Sequence, residues 1–296
     1  MVLGQKTLDK KAEETRNPKE SLEDEIFNII FDSNKQVKTD SIAPKIVLSG
    51  ENGLGKTSLA LSLLTNDMKD DEVIVYVGVD NSGDEIIRKF FKDKLISRQI
   101  LEYNPDATKI NETGASVKDE ERVLDNVTST AAAIKKAIDS GIKVKGVIVD
   151  GISFILQFCE SKMRLERNIA PDGGTPTHIW KIRAKAFRDF TSAYMSLDIP
   201  VIFISHKDFI PELIKPDENF ASIKERLLDE CGVRIVLSKD KSPDNVHVEY
   251  YIAEIKKNRS DIFTVGKTVT FMSANNEEDV VETNYKELKD LIFPIN

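Results

Sequence analysis

One octapeptide constrains this chain more than anything else in it. Gly50-Glu51-Asn52-Gly53-Leu54-Gly55-Lys56-Thr57 fits the spacing G-x-x-x-x-G-K-[ST]. At ordinary residue frequencies that spacing arises by chance about once in a hundred chains of this length. Its surroundings make chance a poorer explanation still. An apolar run of strand length, Lys45-Ile46-Val47-Leu48-Ser49, comes just before it, and a helical run, Ser58-Leu59-Ala60-Leu61-Ser62-Leu63-Leu64, comes just after.

A strand, a glycine-rich loop and a helix in that order form an anion-binding device, and the roles separate by residue. Gly50, Gly53 and Gly55 let the loop turn its backbone N–H groups inward on phosphate oxygens. The helix that starts near Lys56 points the positive end of its dipole at the same anion. Lys56 supplies a point charge for the β- and γ-phosphates, and the Thr57 hydroxyl is a ligand for Mg²⁺. With Glu51, Asn52, Leu54 and Ser58 completing the stretch, residues 50–58 form the expected cofactor site, and the expected cofactors are ATP and Mg²⁺. The expected activity is that of a P-loop ATPase.

A magnesium site also calls for a carboxylate at the end of a neighbouring strand. Lys145-Gly146-Val147-Ile148-Val149-Asp150 is an apolar run ending in Asp, so Asp150 is the second expected metal residue beside Thr57. Hydrolysis needs a group to orient the attacking water. No Glu follows Asp150, and the other natural place is the end of the strand after the P-loop helix, where Asp80 is the first candidate and Asp84 the second. A turn or helix-capping cluster is the competing reading for both. Ile202-Phe203-Ile204-Ser205-His206 is a buried strand ending in polar residues, and His206 is the candidate sensor of the γ-phosphate, with a capping or core histidine as the alternative.

The rest of the chain alternates strand and helix. Strands are expected at 45–49, 72–79, 146–150 and 199–205, with helices at 56–64, 84–94, 129–140 and 178–196. Three later strands, 233–238, 246–256 and 267–272, follow with no helices between them. The fold class implied is α/β, a mainly parallel sheet with helices on both faces and antiparallel C-terminal strands. Residues 1–24 are dense in Lys, Glu and Asp and read as a charged mobile arm, with a short helix at 21–31. The ATPase domain is expected over 25–275, and 276–296 as an acidic segment with a short helix.

Composition narrows the partners. Fifty acidic against 42 basic residues give a formal net charge of −8, so any nucleic-acid contact must come from a local basic patch. No apolar run approaches membrane-spanning length and the N-terminus has no hydrophobic signal core, so a cytoplasmic protein with no membrane partner is expected. Cys159 and Cys231 read as buried apolar filler.

The order of motifs resembles the RecA-like P-loop ATPases, and within them the compact RecA-like proteins of phages and archaeal viruses implicated in recombination and single-strand annealing. The resemblance rests on the P-loop, the acidic turn after the next strand, Asp150-Gly151-Ile152-Ser153, Ser205-His206 and Lys257-Asn258-Arg259. It covers roughly residues 43–272, and only the P-loop is highly specific. It implies a homo-oligomer, ring or filament, in which Lys257 or Arg259 reaches the ATP of a neighbouring copy, with Arg259 as a catalytic finger. A solvated basic turn is the alternative. It implies single-stranded DNA as a partner, held by segments 160–180 and 207–226. The first carries Lys162, Arg164, Arg167 and Trp180, followed by Lys181, Arg183, Lys185 and Arg188. If the protein is viral, its compartment is the host cytoplasm. One departure matters: the family places a Glu in the acidic turn, where this chain has Asp80-Asn81-Ser82. A KaiC-like or packaging-type ATPase acting on protein partners is the alternative function.

Overall fold

The computed structural model describes residues 43–79, 82–100, 108–110, 116–170, 173–206, 227, 230–275 and 280–293. The expected arm, the helix at 21–31, Asp80 and the segment 207–226 lie outside the described residues.

A nine-stranded sheet carries the fold, in the order β11-β10-β9-β8-β1-β7-β6-β2-β3. Its strands are β1 (Lys45–Gly50), β2 (Val73–Gly78), β3 (Ile96–Ile100), β6 (Val144–Asp150), β7 (Val201–His206), β8 (Val233–Lys241), β9 (Val248–Asn258), β10 (Thr268–Asn275) and β11 (Val280–Thr283). From β8 through β1, β7, β6 and β2 to β3 every pairing is parallel, and β8–β9, β9–β10 and β10–β11 are antiparallel. A separate antiparallel pair joins β4 (Thr108–Ile110) to β5 (Ser116–Lys118).

The central strands are near-continuous apolar runs because both faces are covered. With the two-residue period of a strand, Val47, Val77, Val147, Val149 and Phe203 face one side. There they pack on the helices α3 (Asp119–Asp139), α4 (Ile152–Glu166) and α5 (Trp180–Met195). The alternate residues Ile46, Leu48, Ile74, Tyr76, Ile148, Ile202 and Ile204 face the other side. That side is covered by α1 (Lys56–Thr65), α2 (Ser82–Phe90) and α6 (Tyr285–Ile292), with Leu288 and Ile292 buried and Tyr285 stacked on Phe271. Asp150 shares the parity of Ile148, so period two alone sends its carboxylate toward α1.

Several elements differ from expectation. The segment 160–166, expected in a DNA-binding loop, is the last part of α4. Ile152, Ile155, Leu156, Cys159 and Met163 recur at helical spacing and are buried, which overrides the polar content around them. Helix α3 begins ten residues before the expected 129, at Asp119-Glu120-Glu121, where acidic side chains favour a helix N-terminus. Strand β3 was not anticipated. Lying at the end of the sheet, its Ile-Ser-Arg-Gln-Ile pattern lacks the continuous apolar signal of its neighbours.

Candidate functional site

The strand register brings the C-terminal ends of β1, β7, β6 and β2 to one edge: Gly50 lies opposite His206, Asp150 opposite Ile204, and Gly78 opposite Asp150. In an open parallel sheet this is the edge where ligands bind. Strand β7 stands between the glycine-loop strand β1 and the Asp150 strand β6. The crevice is therefore framed by three strand ends, with the loop above them.

The loop enters α1 through Gly55, which has φ 72° and ψ 22°. That left-handed conformation is close to free for glycine and costly for a residue with a Cβ. It starts the helix on residues 56–59, and the first unbonded amides of α1 end up at the loop. Lys56 follows, buried, its Nζ donating to the carbonyls of Gly50 at 2.9 Å and Glu51 at 2.6 Å. Burial pulls its pKa below the ordinary lysine value, and the Asp150 carboxylate opposes that shift. The ammonium is thus held above the loop by two backbone carbonyls that phosphate oxygens can replace.

Thr57, in the first turn of α1, donates from Oγ1 to Asp150 Oδ2 at 2.7 Å. The same oxygen accepts from the Tyr76 hydroxyl at 3.0 Å. All three side chains are buried. Ser153, at the start of α4, lies 3.4 Å from Ser205 through their hydroxyl oxygens. Tyr76 and Ser153 were not among the expected site residues. The signal for Tyr76 was its parity with Ile74 on β2, readable only once β2 is known to lie beside β6.

The donors present fit a magnesium–nucleotide pair: an ammonium, a helix N-terminus, a threonine hydroxyl and a carboxylate within hydrogen-bonding distance of it. Among the described residues no group of three or more His, Cys, Asp or Glu could hold a metal, so the metal side of the site rests on Thr57, Asp150 and the nucleotide itself.

The remaining candidates are placed as follows. His206 ends β7 opposite Gly50, and its side chain lies outside the described residues. Asp84, the second candidate for orienting water, is ion-paired with Arg88 at 2.5 Å and also with Arg98. Both of its carboxylate oxygens are thus engaged by guanidinium groups, Oδ2 by Arg88 and Oδ1 by Arg98.

Lys257, Asn258 and Arg259 close β9 at the opposite edge of the sheet. Asn258 pairs with Val233 at the start of β8, and Val233 pairs with Ile46 near the start of β1. Four residues of strand and two strand spacings separate that corner from Gly50, a distance of about 16 Å. Arg259 is therefore too far from the P-loop of its own chain to contact a phosphate there. Asn258 is buried. Its Nδ2 donates to Thr264 Oγ1 at 2.9 Å, and its Oδ1 accepts from the Ser260 amide at 3.0 Å.

The basic segment expected to hold DNA is largely neutralised within the fold. Lys162 pairs with Asp125 at 2.8 Å, Arg164 with Glu160 at 3.0 Å, Arg183 with Glu160 at 3.1 Å, and Lys185 with Asp189 at 2.6 Å. Arg164 also donates to the carbonyls of Ala170 and Gly173, and Arg183 covers Trp180 at 5.2 Å from the ring centroid. Arg167, Lys181 and Arg188 remain exposed on this side of the molecule.

Sheet order, glycine loop and the Thr57–Asp150 pair together define a RecA-like P-loop nucleoside-triphosphatase fold. No protein-family model matches the chain, and no curated protein matches it. Among solved structures, it is similar to a KaiC-like protein from the hyperthermophilic archaeon Pyrococcus horikoshii OT3. That likeness has 15% identity, covers 81% of this chain and 89% of that one, and has a TM-score of 0.46. The flagellar accessory protein FlaH from Methanocaldococcus jannaschii is 14% identical over 81% of this chain and 90% of its own, with a TM-score of 0.42. Among the described residues no helix is long and apolar enough to cross a membrane.

Proposed function

We propose that this protein binds and hydrolyses Mg-ATP at the 50–58 loop and does so as an oligomer, each copy lending Lys257 or Arg259 to the site of the next. The observation that carries the reading is the hydrogen bond from Thr57 to Asp150, which joins the P-loop helix to the carboxylate proposed to hold the metal. Thr57 and Asp150 would hold magnesium, which would supply positive charge to offset the negative charge developing in phosphoryl transfer. The chain's own residues do the rest. Lys56 exchanges two loop carbonyls for phosphate oxygens, the α1 amides orient the phosphates, and Thr57 and Asp150 hold the metal side of the site. Ser205 and His206, at the end of β7, are the residues proposed to sense the γ-phosphate. Asp80 remains the proposed group for orienting water.

Two observations support action between copies. Arg259 cannot reach the P-loop of its own chain, and the turn just beyond it exposes Ile262 and Phe263 at 71% and 84% of their surface. Large exposed apolar side chains beside a functional cation suit a protein–protein contact.

For the partner on which the ATPase acts, the first proposal is single-stranded DNA, in recombination or annealing. The exposed Arg167, Lys181 and Arg188 support it. The ion pairs of Lys162, Arg164, Arg183 and Lys185 favour the second reading, a KaiC-like or packaging-type switch acting on a protein. An ATPase assay with and without single-stranded DNA separates them. Several-fold stimulation supports the DNA reading, and unchanged turnover supports the switch.

A further inference from the structure

We infer that Tyr76 is a positioning residue for the metal carboxylate, held against Asp150 by the close approach of α2 at Gly83. The inference rests on the Mg-ATP reading above and concerns a residue to which that reading assigns no role.

Three observations carry it. The first is that Tyr76 is fully buried and its hydroxyl donates to Asp150 Oδ2. A buried phenol requires a partner, and the partner here is the carboxylate proposed to hold the metal. The second is that this oxygen is also the acceptor for Thr57. With one oxygen held from two directions, by α1 and by β2, the plane of the carboxylate is fixed before any ligand arrives. Outer-sphere donors of this kind set the orientation and the charge of a metal-binding group.

The third observation is Gly83, at the start of α2. A Cβ built there would overlap the Tyr76 hydroxyl, so only glycine lets this helix close over the phenol. Gly83 lies in the segment that follows the strand end where the water-orienting group is proposed. Tyr76 therefore meets the metal carboxylate and the start of α2 through one atom, its hydroxyl oxygen.

The test is the gain in nucleotide affinity that magnesium provides, read as the ratio of dissociation constants for a fluorescent ATP analogue in EDTA and in magnesium. This is a binding measurement and does not depend on turnover. Tyr76→Phe keeps the ring and removes the donor. It is expected to leave the EDTA value unchanged and to cut the ratio about tenfold, the lower end for loss of an outer-sphere partner. Gly83→Ala keeps the hydroxyl but displaces it and is expected to cut the ratio as well. Tyr194→Phe is the control. Its hydroxyl is equally buried but donates to the Val127 carbonyl at 2.7 Å, away from the site.

A ratio in Tyr76→Phe within twofold of wild type, or an equal fall in Tyr194→Phe, overturns the inference. Wild type with no magnesium gain at all overturns the Mg-ATP reading itself, which is a distinct outcome.

Discussion

Asn258, set between the two cations that end β9, donates to the Leu291 carbonyl of α6 at 3.1 Å, across 33 residues of chain. The middle residue of the Lys-Asn-Arg turn is thus a buried structural tie, fully engaged by Thr264, Ser260, Asp261 and the C-terminal helix. The flanking Lys257 and Arg259 ride on it. The shape of the basic turn is consequently set by the C-terminal helix, which lies outside the segment that carries the family resemblance.

Removing that tie is expected to loosen the turn and weaken the fold together. Asn258→Ala strands buried partners and should cost about 2 kcal/mol in urea unfolding. In stable conditions it should also lower ATP turnover while nucleotide affinity stays near wild type. Unchanged stability would show that the turn is held by other contacts.

Lys56→Ala is expected to lower ATP turnover by more than about a hundredfold, because it removes the ammonium held over the loop. Circular dichroism should be unaltered, since the partners of Lys56 are two loop carbonyls that water can satisfy. Turnover within a few fold of wild type would remove the assignment of the loop.

Arg259→Ala is expected to keep ATP binding and reduce hydrolysis by about 10³- to 10⁵-fold. Mixed with Lys56→Ala it should recover some activity, because one of the two kinds of mixed junction pairs the intact loop of Arg259→Ala with the intact finger of Lys56→Ala. No recovery at any mixing ratio, with both variants still assembling, would count against sharing of the site.

Lys45 gives a pH test of the fold that is independent of function. Its Nζ donates to the Leu197 and Ile199 carbonyls at 2.5 and 2.6 Å under the sheet. Burial lowers its pKa from 10.5 to about 8, with Asp198 and Cys231 partly opposing. Between those two values the unfolded chain holds a proton that the folded chain has released, so this residue makes stability rise with pH from about 8 to 10.5. Relative to Lys45→Met, wild type should gain in denaturant midpoint between pH 7.5 and 9.5. A constant difference would mean that the ammonium is not desolvated.

Cys159 and Cys231 have thiols pushed up to about 12 by burial. Both should resist alkylation at pH 8 in the folded protein and react on unfolding. Rapid labelling of either in native conditions would contradict the burial of that side chain.

What could be read from the sequence was what is local. The glycine loop, the apolar strand ending in Asp150 and the late strands each announce themselves within ten residues, by spacing or by period. Tyr76 did not, because its meaning depends on a partner 74 residues away and on β2 lying beside β6. The distance of Arg259 from its own P-loop was hidden for a similar reason, since it follows from the reversal of β9 against β8. The run of cations from Lys162 to Lys185 looked like a binding surface in one dimension. In three, helices α3, α4 and α5 supply Asp125, Glu160 and Asp189 to most of it. Helix α4 was legible, its apolar spacing plain from Ile152 to Met163, but the Pro-Gly tract beyond it drew the loop boundary too early.

The most direct measurement is equilibrium binding of a fluorescent ATP analogue to the purified protein, with magnesium and with EDTA, for wild type and Asp150→Asn. Wild type should bind saturably, be competed by ATP, and bind more tightly when magnesium is present, while Asp150→Asn should lose most of that gain. Absence of saturable binding with magnesium, or an undiminished gain in Asp150→Asn, would contradict a metal–nucleotide site built on Thr57 and Asp150.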